Sequence, residues 1–178
     1  FHEYCGWAIG QLTDPIPREE FISWMLSGSA GDLANMGHRY LSAAKGVALM
    51  EEMRWSEPEN YLFPMLHYSF HAPEHRWAEE VIRQRLDYHR LELKERSYKR
   101  TGLSSDQTLQ IRDAVLTDSQ EGMIDTLLGA LDYEVDPFDL AEAMMVTAAY
   151  MILAVPYDRW IFPIHGFNYA HTVFTTLE

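Results

Sequence analysis

Apolar residues recur at intervals of three and four along most of the chain, and alternation with a period of two is almost absent. This spacing is typical of helices that bury one face. It predicts an all-α protein, a single-domain bundle of about seven to eight helices over residues 1–178. No internal repeat and no long linker divides the pattern.

Prolines, glycines and capping residues set the predicted helix boundaries in the first part of the chain. One helix is predicted to end near Leu12, and the next spans 17–26 and ends in a loop at 27–31. Asp32 is predicted to cap a long helix. The apolar stripe of that helix comprises Leu33, Met36, Tyr40, Leu41, Ala44, Val47 and Ala48.

Two further helices are predicted to begin at prolines. Pro58 fits the first turn of one helix, and Pro73 starts another that runs toward Tyr98. The second of these carries most of the basic side chains, interleaved with acidic ones at helical spacing. We interpret residues 76–100 as a solvated helix face rather than a binding patch.

The remaining helices are predicted from caps as well. After a loop at 101–105 and one helix, Thr117 is predicted to begin a capping box for a helix that ends at Gly129. Asp136, followed by a proline, opens an apolar helix that Pro156 closes. The last helix is predicted to begin near Trp160.

Composition indicates a packed globular chain and excludes several classes of partner. The chain has 47% apolar and 23% charged residues, and 14 basic against 27 acidic residues give a formal charge of −13. This field repels phosphate polyanions, so no nucleic-acid partner is predicted. The longest apolar run, 141–155, is shorter than the roughly 20 residues that span a bilayer, so no membrane partner is predicted. The single cysteine favours a cytoplasmic location.

Eight histidines are the unusual chemical resource of the sequence. His67, His71 and His75 are spaced by four, as two imidazoles on one helical face would be to hold a metal. Pro73 interrupts that helix, and polar residues around a helix junction are the alternative interpretation.

His165 lies between Pro163 and Gly166 in an apolar and aromatic stretch. A buried imidazole there needs a partner, and two interpretations stay open: a core histidine bonded to a carbonyl, or a metal or substrate ligand. Histidines at similar apolar positions complete the candidates for an internal imidazole cluster, whose neutral rings would suit Fe(II). The candidate metal ligands are His2, His38, His67 and His165.

Several segments occur in an order and spacing that resemble the questin oxidase-like family. In the C-terminal part they are QIRDAVL at 110–116, GMI at 122–124, DLAEAMM at 139–145, AAY at 148–150 and FPIH at 162–165. At the other end, FH at 1–2 and GWAIG at 6–10 resemble the family's first helix. Since family members are longer, the chain is expected to be the C-terminal part of a larger fold.

The resemblance implies a helical oxidoreductase that oxygenates or opens the ring of an aromatic polyketide-type substrate. It implies histidine-bound non-haem iron or NADPH as cofactor. Carried over by position, it points to His165 and His2, and we take His165 and Tyr169 as the candidate catalytic residues. Aromatic residues would stack a flat substrate, although they serve equally well as plain core.

The alternative function is a non-catalytic helical partner subunit or protein-interaction module. Its motivation is the shorter chain together with Gly6, which stands where the family's first helix carries a second histidine. A homo-oligomer or a second chain that completes the fold belongs to this interpretation. A haem protein with one histidine ligand is a third option, without a supporting motif.

Overall fold

A computed structural model describes residues 8, 10–11, 16–30, 34–62, 77–90, 100–133 and 135–177. Contacts divide the chain into two compact units, Phe1–Ala78 (unit 1) and Glu79–Glu178 (unit 2). The regular elements in the described ranges are seven α-helices, one 3-10 helix and short helical segments at 10–11 and 58–62. The predicted all-α bundle of about seven to eight helices is confirmed. The single-domain boundaries 1–178 stay a prediction.

Unit 1 is built on helices α1 (Arg18–Ala30) and α2 (Ala34–Glu52), which pack against each other. Its core consists of buried side chains from both helices and from the segment 58–62. These side chains are Phe21, Met25, Ala43, Met50 and Leu62. The predicted long helix is therefore confirmed, whereas the predicted cap Asp32 lies outside the described residues.

Helix α1 continues through the stretch 27–31 that was expected to form a loop, as far as Ala30. The hydroxyl of Ser29 is the reason that this stretch tolerates a helix. It donates to the carbonyl of Met25 at 2.7 Å and contacts that of Leu26 at 3.0 Å, and Ser29 is buried. The hydroxyl of Ser29 therefore finds its hydrogen-bond partner within the helix, and the helix continues past this residue.

The turn after α2 is fixed by charged and aromatic side chains. Arg54 and Trp55 have φ angles of 52° and 56°, in the left-handed region. The indole nitrogen of Trp55 donates to Glu51 at 3.1 Å, and Arg18 lies 5.1 Å from the centre of the Trp55 ring while it forms an ion pair with Glu51. These contacts join the start of α1 to the end of α2.

Unit 2 contains nearly all of helix α3 (Trp77–His89). The prediction of a continuous helix toward Tyr98 is wrong at this point, because α3 ends at His89. Arg90 has a φ angle of 55°, and its N–H donates to the carbonyl of Asp87, three residues back. A left-handed residue breaks the helical hydrogen-bond ladder. Tyr98 itself lies outside the described residues.

Helices α4 (Ser105–Thr117) and α5 (Gln120–Asp132) begin at serine caps. The capping box belongs to α4, where Ser104 and Gln107 exchange side-chain to main-chain hydrogen bonds of 3.2 and 2.9 Å. The prediction of a box at Thr117 is wrong, because that hydroxyl donates to the carbonyl of Asp113 at 2.7 Å. The cap of α5 is Ser119.

Helix α5 also runs past its predicted end at Gly129, and it ends at Asp132. Gly129 keeps the helical conformation, and its carbonyl accepts the N–H of Tyr133 at 3.0 Å. A glycine ends a helix only where it adopts the left-handed conformation, which this one does not.

Helices α6 (Pro137–Ala154) and α7 (Ile161–Leu177) form the most extensive helix pair, and a 3-10 helix (Tyr157–Arg159) joins them. Asp136 caps α6 as predicted, and its Oδ1 accepts the N–H of Phe138 at 2.9 Å. Small buried residues occupy the faces of both helices, so their backbones approach closely. They include Ala141, Ala143, Thr147, Ala148, Ala170 and Thr172.

The loop before α4 is anchored to the start of α6. The N–H of Gly102 donates to the carboxylate of Asp139 at 2.8 Å, and that side chain is only 4% exposed. The guanidinium of Arg100 lies 5.4 Å from the ring centre of Phe138 and 5.3 Å from that of Phe174. The cation and the main-chain donor together balance a buried charge.

Among the described residues, one helix is long and apolar enough to cross a membrane by length and composition, Pro137–Ala154. Only 28% of that window is buried. A single helix of this kind is weak evidence for a membrane span.

Candidate functional site

The predicted imidazole cluster is only partly within the described residues. His2, His67, His71 and His75 lie outside them. His38 is half-buried on α2 in unit 1, and His165 is half-buried on α7 in unit 2. Across the described ranges, no group of three or more His, Cys, Asp or Glu side chains is arranged to hold a metal ion. The iron site therefore stays a prediction.

His165 uses one ring nitrogen for a local bond. Its Nδ1 lies 2.6 Å from the carbonyl oxygen of Ile161, one turn earlier in α7. Since a carbonyl only accepts, Nδ1 carries a proton. Tyr169 follows one turn later on the same face of the helix. This hydrogen bond agrees with one of the two interpretations from the sequence, a histidine bonded to a carbonyl. The other interpretation, a metal or substrate ligand, is not tested.

A cluster of three polar side chains connects α3 to α5 inside unit 2. Asp125 on α5 accepts a hydrogen bond from Arg85 Nε to its Oδ1 at 2.6 Å, and Arg85 Nη2 donates to Oδ2. His89 Nε2 lies 3.0 Å from the same Oδ1. One carboxylate thus receives three donors from the last turns of another helix, an arrangement that we call the Asp125 cluster.

Proton positions in the Asp125 cluster follow from the chemistry of its partners. His89 Nε2 lies 3.0 Å from an ionised carboxylate, which has no proton to give, so this nitrogen donates to Asp125. The contact of 3.4 Å between Arg85 Nη2 and that nitrogen is therefore proximity and not a hydrogen bond. When the ring is neutral, its proton is on Nε2.

Electrostatic interactions keep Asp125 and Arg85 ionised. Hydrogen bonds from Arg85 hold the pKa of Asp125 below its usual range, partial burial works in the opposite direction, and the bond from His89 adds to the lowering. The same carboxylate raises the pKa of Arg85. Asp125 is therefore a fixed anion at neutral pH.

Tyr88 supports the cluster from the side. Its ring centre lies 4.6 Å from the Arg85 guanidinium carbon, and the His89 ring meets it edge to face at 4.9 Å. The end of α3 thus presents Arg85, Tyr88 and His89 together, and the aromatic contacts restrict the rotation of the two donors.

A cavity of about 420 Å³ lies between α4 and α5, and Asp125 forms part of its wall. Half of the ten lining residues are aliphatic or glycine, and the other half have polar side-chain atoms. The first group comprises Leu103, Ile111, Gly129, Ala130 and Val135, and the second comprises Gln107, Gln110, Asp125, Thr126 and Tyr133. A volume of this size, with both apolar and polar groups in its walls, can hold a small organic ligand.

Gly129 keeps one wall of the cavity open. A methyl group added there would have no other atom within 4 Å. A larger side chain at this position would therefore meet no obstacle at its Cβ, and because Gly129 lines the cavity, it would alter one of the cavity walls.

The Asp125 cluster was not found by sequence reasoning. Arg85 and His89 were interpreted as part of a solvated face, and Asp125 lies 40 and 36 positions away from them. No local spacing predicts such a contact. The one available signal was that Arg85 and His89 are four apart and so share a helix face. His165 and Tyr169, the predicted catalytic pair, are not among the residues that line the cavity.

Comparison of the chain with protein-family profiles, with curated proteins and with solved structures found no match. The resemblance to the questin oxidase-like family therefore rests on the residue segments alone.

Proposed function

We propose that this protein is an oxidoreductase that oxygenates or opens the ring of an aromatic polyketide-type substrate, and that the cavity beside Asp125 binds that substrate. The observation that carries the proposal is the cavity, which combines about 420 Å³ of space, a lining that is half aliphatic or glycine and half polar, and one fixed carboxylate. Residues 110–178, which resemble the questin oxidase-like family, belong to the same unit.

The proposed reaction uses dioxygen and NADPH as co-reactants. One oxygen atom enters the substrate and the other leaves as water, while NADPH supplies the two electrons. The aliphatic side chains of the lining would contact a flat ring. His165 and Tyr169 are kept as the proposed catalytic pair on the resemblance alone, because they are not among the residues that line the cavity.

Non-haem iron remains the proposed metal cofactor, with His2, His38, His67 and His165 as its proposed ligands. Iron bound there would activate dioxygen. Because the described residues contain no assembled ligand group, the proposal depends on the cavity and not on a metal centre. Elemental analysis of the purified protein tests the metal independently of turnover.

The test of the proposed function is turnover by the purified chain. Hydroxylated anthraquinones and naphthols are offered with NADPH in air, and oxygen consumption and labelled-oxygen incorporation are measured. We expect turnover by the unaltered protein and a rate at least about tenfold lower in Gly129→Leu, whose side chain narrows the cavity and displaces the substrate. Gly28→Leu is the matched control, because a Cβ at Gly28 also meets nothing within 4 Å.

Two outcomes would contradict the proposal. One is the absence of oxygen consumption across the whole panel. The other is turnover by Gly129→Leu at the rate of the unaltered protein, since a substrate bound in this cavity cannot share it with a leucine side chain.

A second candidate function is that of a helical partner subunit that packs against a second copy of this chain. The observation that favours it is an apolar stripe on α6 and the following 3-10 helix, formed by Val146, Tyr150, Leu153 and Tyr157 (the α6 stripe). Leu153 is 87% and Tyr157 81% exposed. Exposed apolar surface of this kind marks interaction sites.

The proposal also keeps a cytoplasmic location and no nucleic-acid or membrane partner. The single cysteine supports the location, and the formal charge of −13 repels the phosphate groups of nucleic acids and of anionic lipids.

A further inference from the structure

Asp125 has an unused acceptor position next to the cavity. Its Oδ1 accepts from Arg85 Nε and from His89 Nε2, and its Oδ2 accepts from Arg85 Nη2. A carboxylate offers about four acceptor positions, two on each oxygen. The hydrogen bonds among the described residues use three of these, so Oδ2 keeps one acceptor position, on a side chain that forms part of the cavity wall.

The charge of Asp125 is already balanced by Arg85. A cationic ligand would have to compete with a guanidinium that makes two hydrogen bonds. A ligand carboxylate would meet an anion at short range. The group that matches the remaining position is a neutral O–H or N–H donor.

We propose that Asp125 accepts a hydrogen bond from a neutral hydroxyl or N–H group on an otherwise apolar ring ligand, and that Arg85 and His89 are positioning residues for this acceptor. The inference rests on the proposed function only in taking the cavity as the ligand site. Ile111 and Ala130 would contact the ring, while Asp125 would select the donor.

The selection of a donor by Asp125 can be measured as the ratio of the affinities for a ligand and for its methylated analogue. A site built around a hydrogen-bond acceptor rejects an analogue in which the donor is methylated, because the acceptor then loses water without gaining a partner. With a charged acceptor we expect about a tenfold or larger loss of affinity. The apolar contacts of the ring are unchanged by the methyl group.

Two matched ligand pairs test the inference, 2-naphthol with 2-methoxynaphthalene and indole with 1-methylindole. Dissociation constants are measured by calorimetry at pH 7. The unaltered protein is expected to prefer the donor in each pair by about tenfold or more. Gly129→Leu should weaken all four ligands, and Gly28→Leu should change none of them.

Asp125→Asn gives the decisive comparison. Its single amide oxygen is expected to take the place of Oδ1, where two donors point, so that the NH₂ group takes the place of Oδ2 and the hydrogen bond from Arg85 Nη2 is lost. The acceptor beside the cavity becomes a donor, and we expect the methyl ether to bind at least as tightly as 2-naphthol. His89→Leu should lower the preference, whereas His89→Gln, which keeps a donor, should retain part of it.

The results separate the inference from the proposed function. Equal affinities within each pair, or no binding by the unaltered protein, would overturn the inference. So would a preference that Asp125→Asn or His89→Leu leaves unchanged. If Asp125→Asn does not fold, as judged by its helical circular dichroism, the affinities of the His89 variants and of the unaltered protein still test the inference. If the protein prefers the ligand with the donor in each pair but turns over no substrate, only the proposed oxidoreductase function is contradicted. If Gly129→Leu blocks turnover but the protein shows no preference within the pairs, only the inference about Asp125 is contradicted.

Discussion

At the scale of single residues, Asp125 should have a large effect on stability, because its carboxylate accepts hydrogen bonds from two side chains of another helix. Its pKa is lowered in the folded protein. A group with a lowered folded pKa stabilises the fold above its unfolded pKa of about 4. This contribution is lost as the pH falls below that value and through the folded pKa.

We therefore expect Asp125→Asn to be less stable than the unaltered protein at pH 7 and to lose less stability below about pH 4. Urea unfolding at a series of pH values measures both effects. Asp158→Asn is the control, because Asp158 forms no ion pair within the described part of the chain. Parallel acid limbs for Asp125→Asn and the unaltered protein would contradict the prediction.

The cap of α4 gives a second prediction for single residues. Ser104→Ala removes the acceptor for the N–H of Gln107. We expect a loss of about 1 kcal/mol in the free energy of unfolding. Ser105→Ala, at an exposed neighbouring position, should change it by less than about 0.5 kcal/mol. Equal losses in the two variants would mean that the hydroxyl of Ser104 does not act as a cap.

At the scale of elements, the pair α6–α7 depends on small side chains. A methyl group added at Gly166 would lie 4.0 Å from the Cβ of Ala148, so the two helices nearly touch there. Ala148→Leu should therefore overpack the contact and lower the free energy of unfolding by about 1–3 kcal/mol. Val146→Leu, one half-turn away and 54% exposed, is the matched control. No difference between the two variants in urea unfolding would contradict the prediction.

Helix starts were predicted better than helix ends, for a physical reason. Asp136 and Pro137 act through bonds to the next few residues, so the sequence contains the whole signal. The ends predicted at residues 27–31 and at Gly129 were wrong, because serine and glycine can remain in a helix when their surroundings allow it. Ser29 does so through a carbonyl within its own helix.

The functional site was predicted less well than the fold. The carbonyl bond of His165 joins residues four apart, and the sequence offered it as one alternative. Asp125 and its partners belong to helices that meet only in the folded chain. Their side chains reach each other across 36 and 40 positions, a distance at which residue spacing carries no information.

At the scale of the whole molecule, the charge of −13 opposes any association through the α6 stripe. Salt shortens the range of this repulsion to about 10 Å at 0.1 M. If two copies associate, sedimentation velocity should show a dimer that strengthens from about 10 mM to about 300 mM salt. Leu153→Glu should weaken it by at least about tenfold.

The control for this experiment is Glu142→Gln, which reduces the charge and leaves the α6 stripe intact. It should strengthen the dimer or leave it unchanged. A chain that is monomeric at every salt concentration would remove the support for the partner-subunit function.

The anchor between Gly102 and Asp139 also has a consequence for the exchange of amide hydrogens with solvent. Amides in exposed loops normally exchange fast, but the N–H of Gly102 is bound to a carboxylate that is 4% exposed. Its exchange requires the loop to separate from the first turn of α6. This single amide should therefore exchange more slowly than the other amides of exposed loops, and its rate reports the separation of the loop from the first turn of α6.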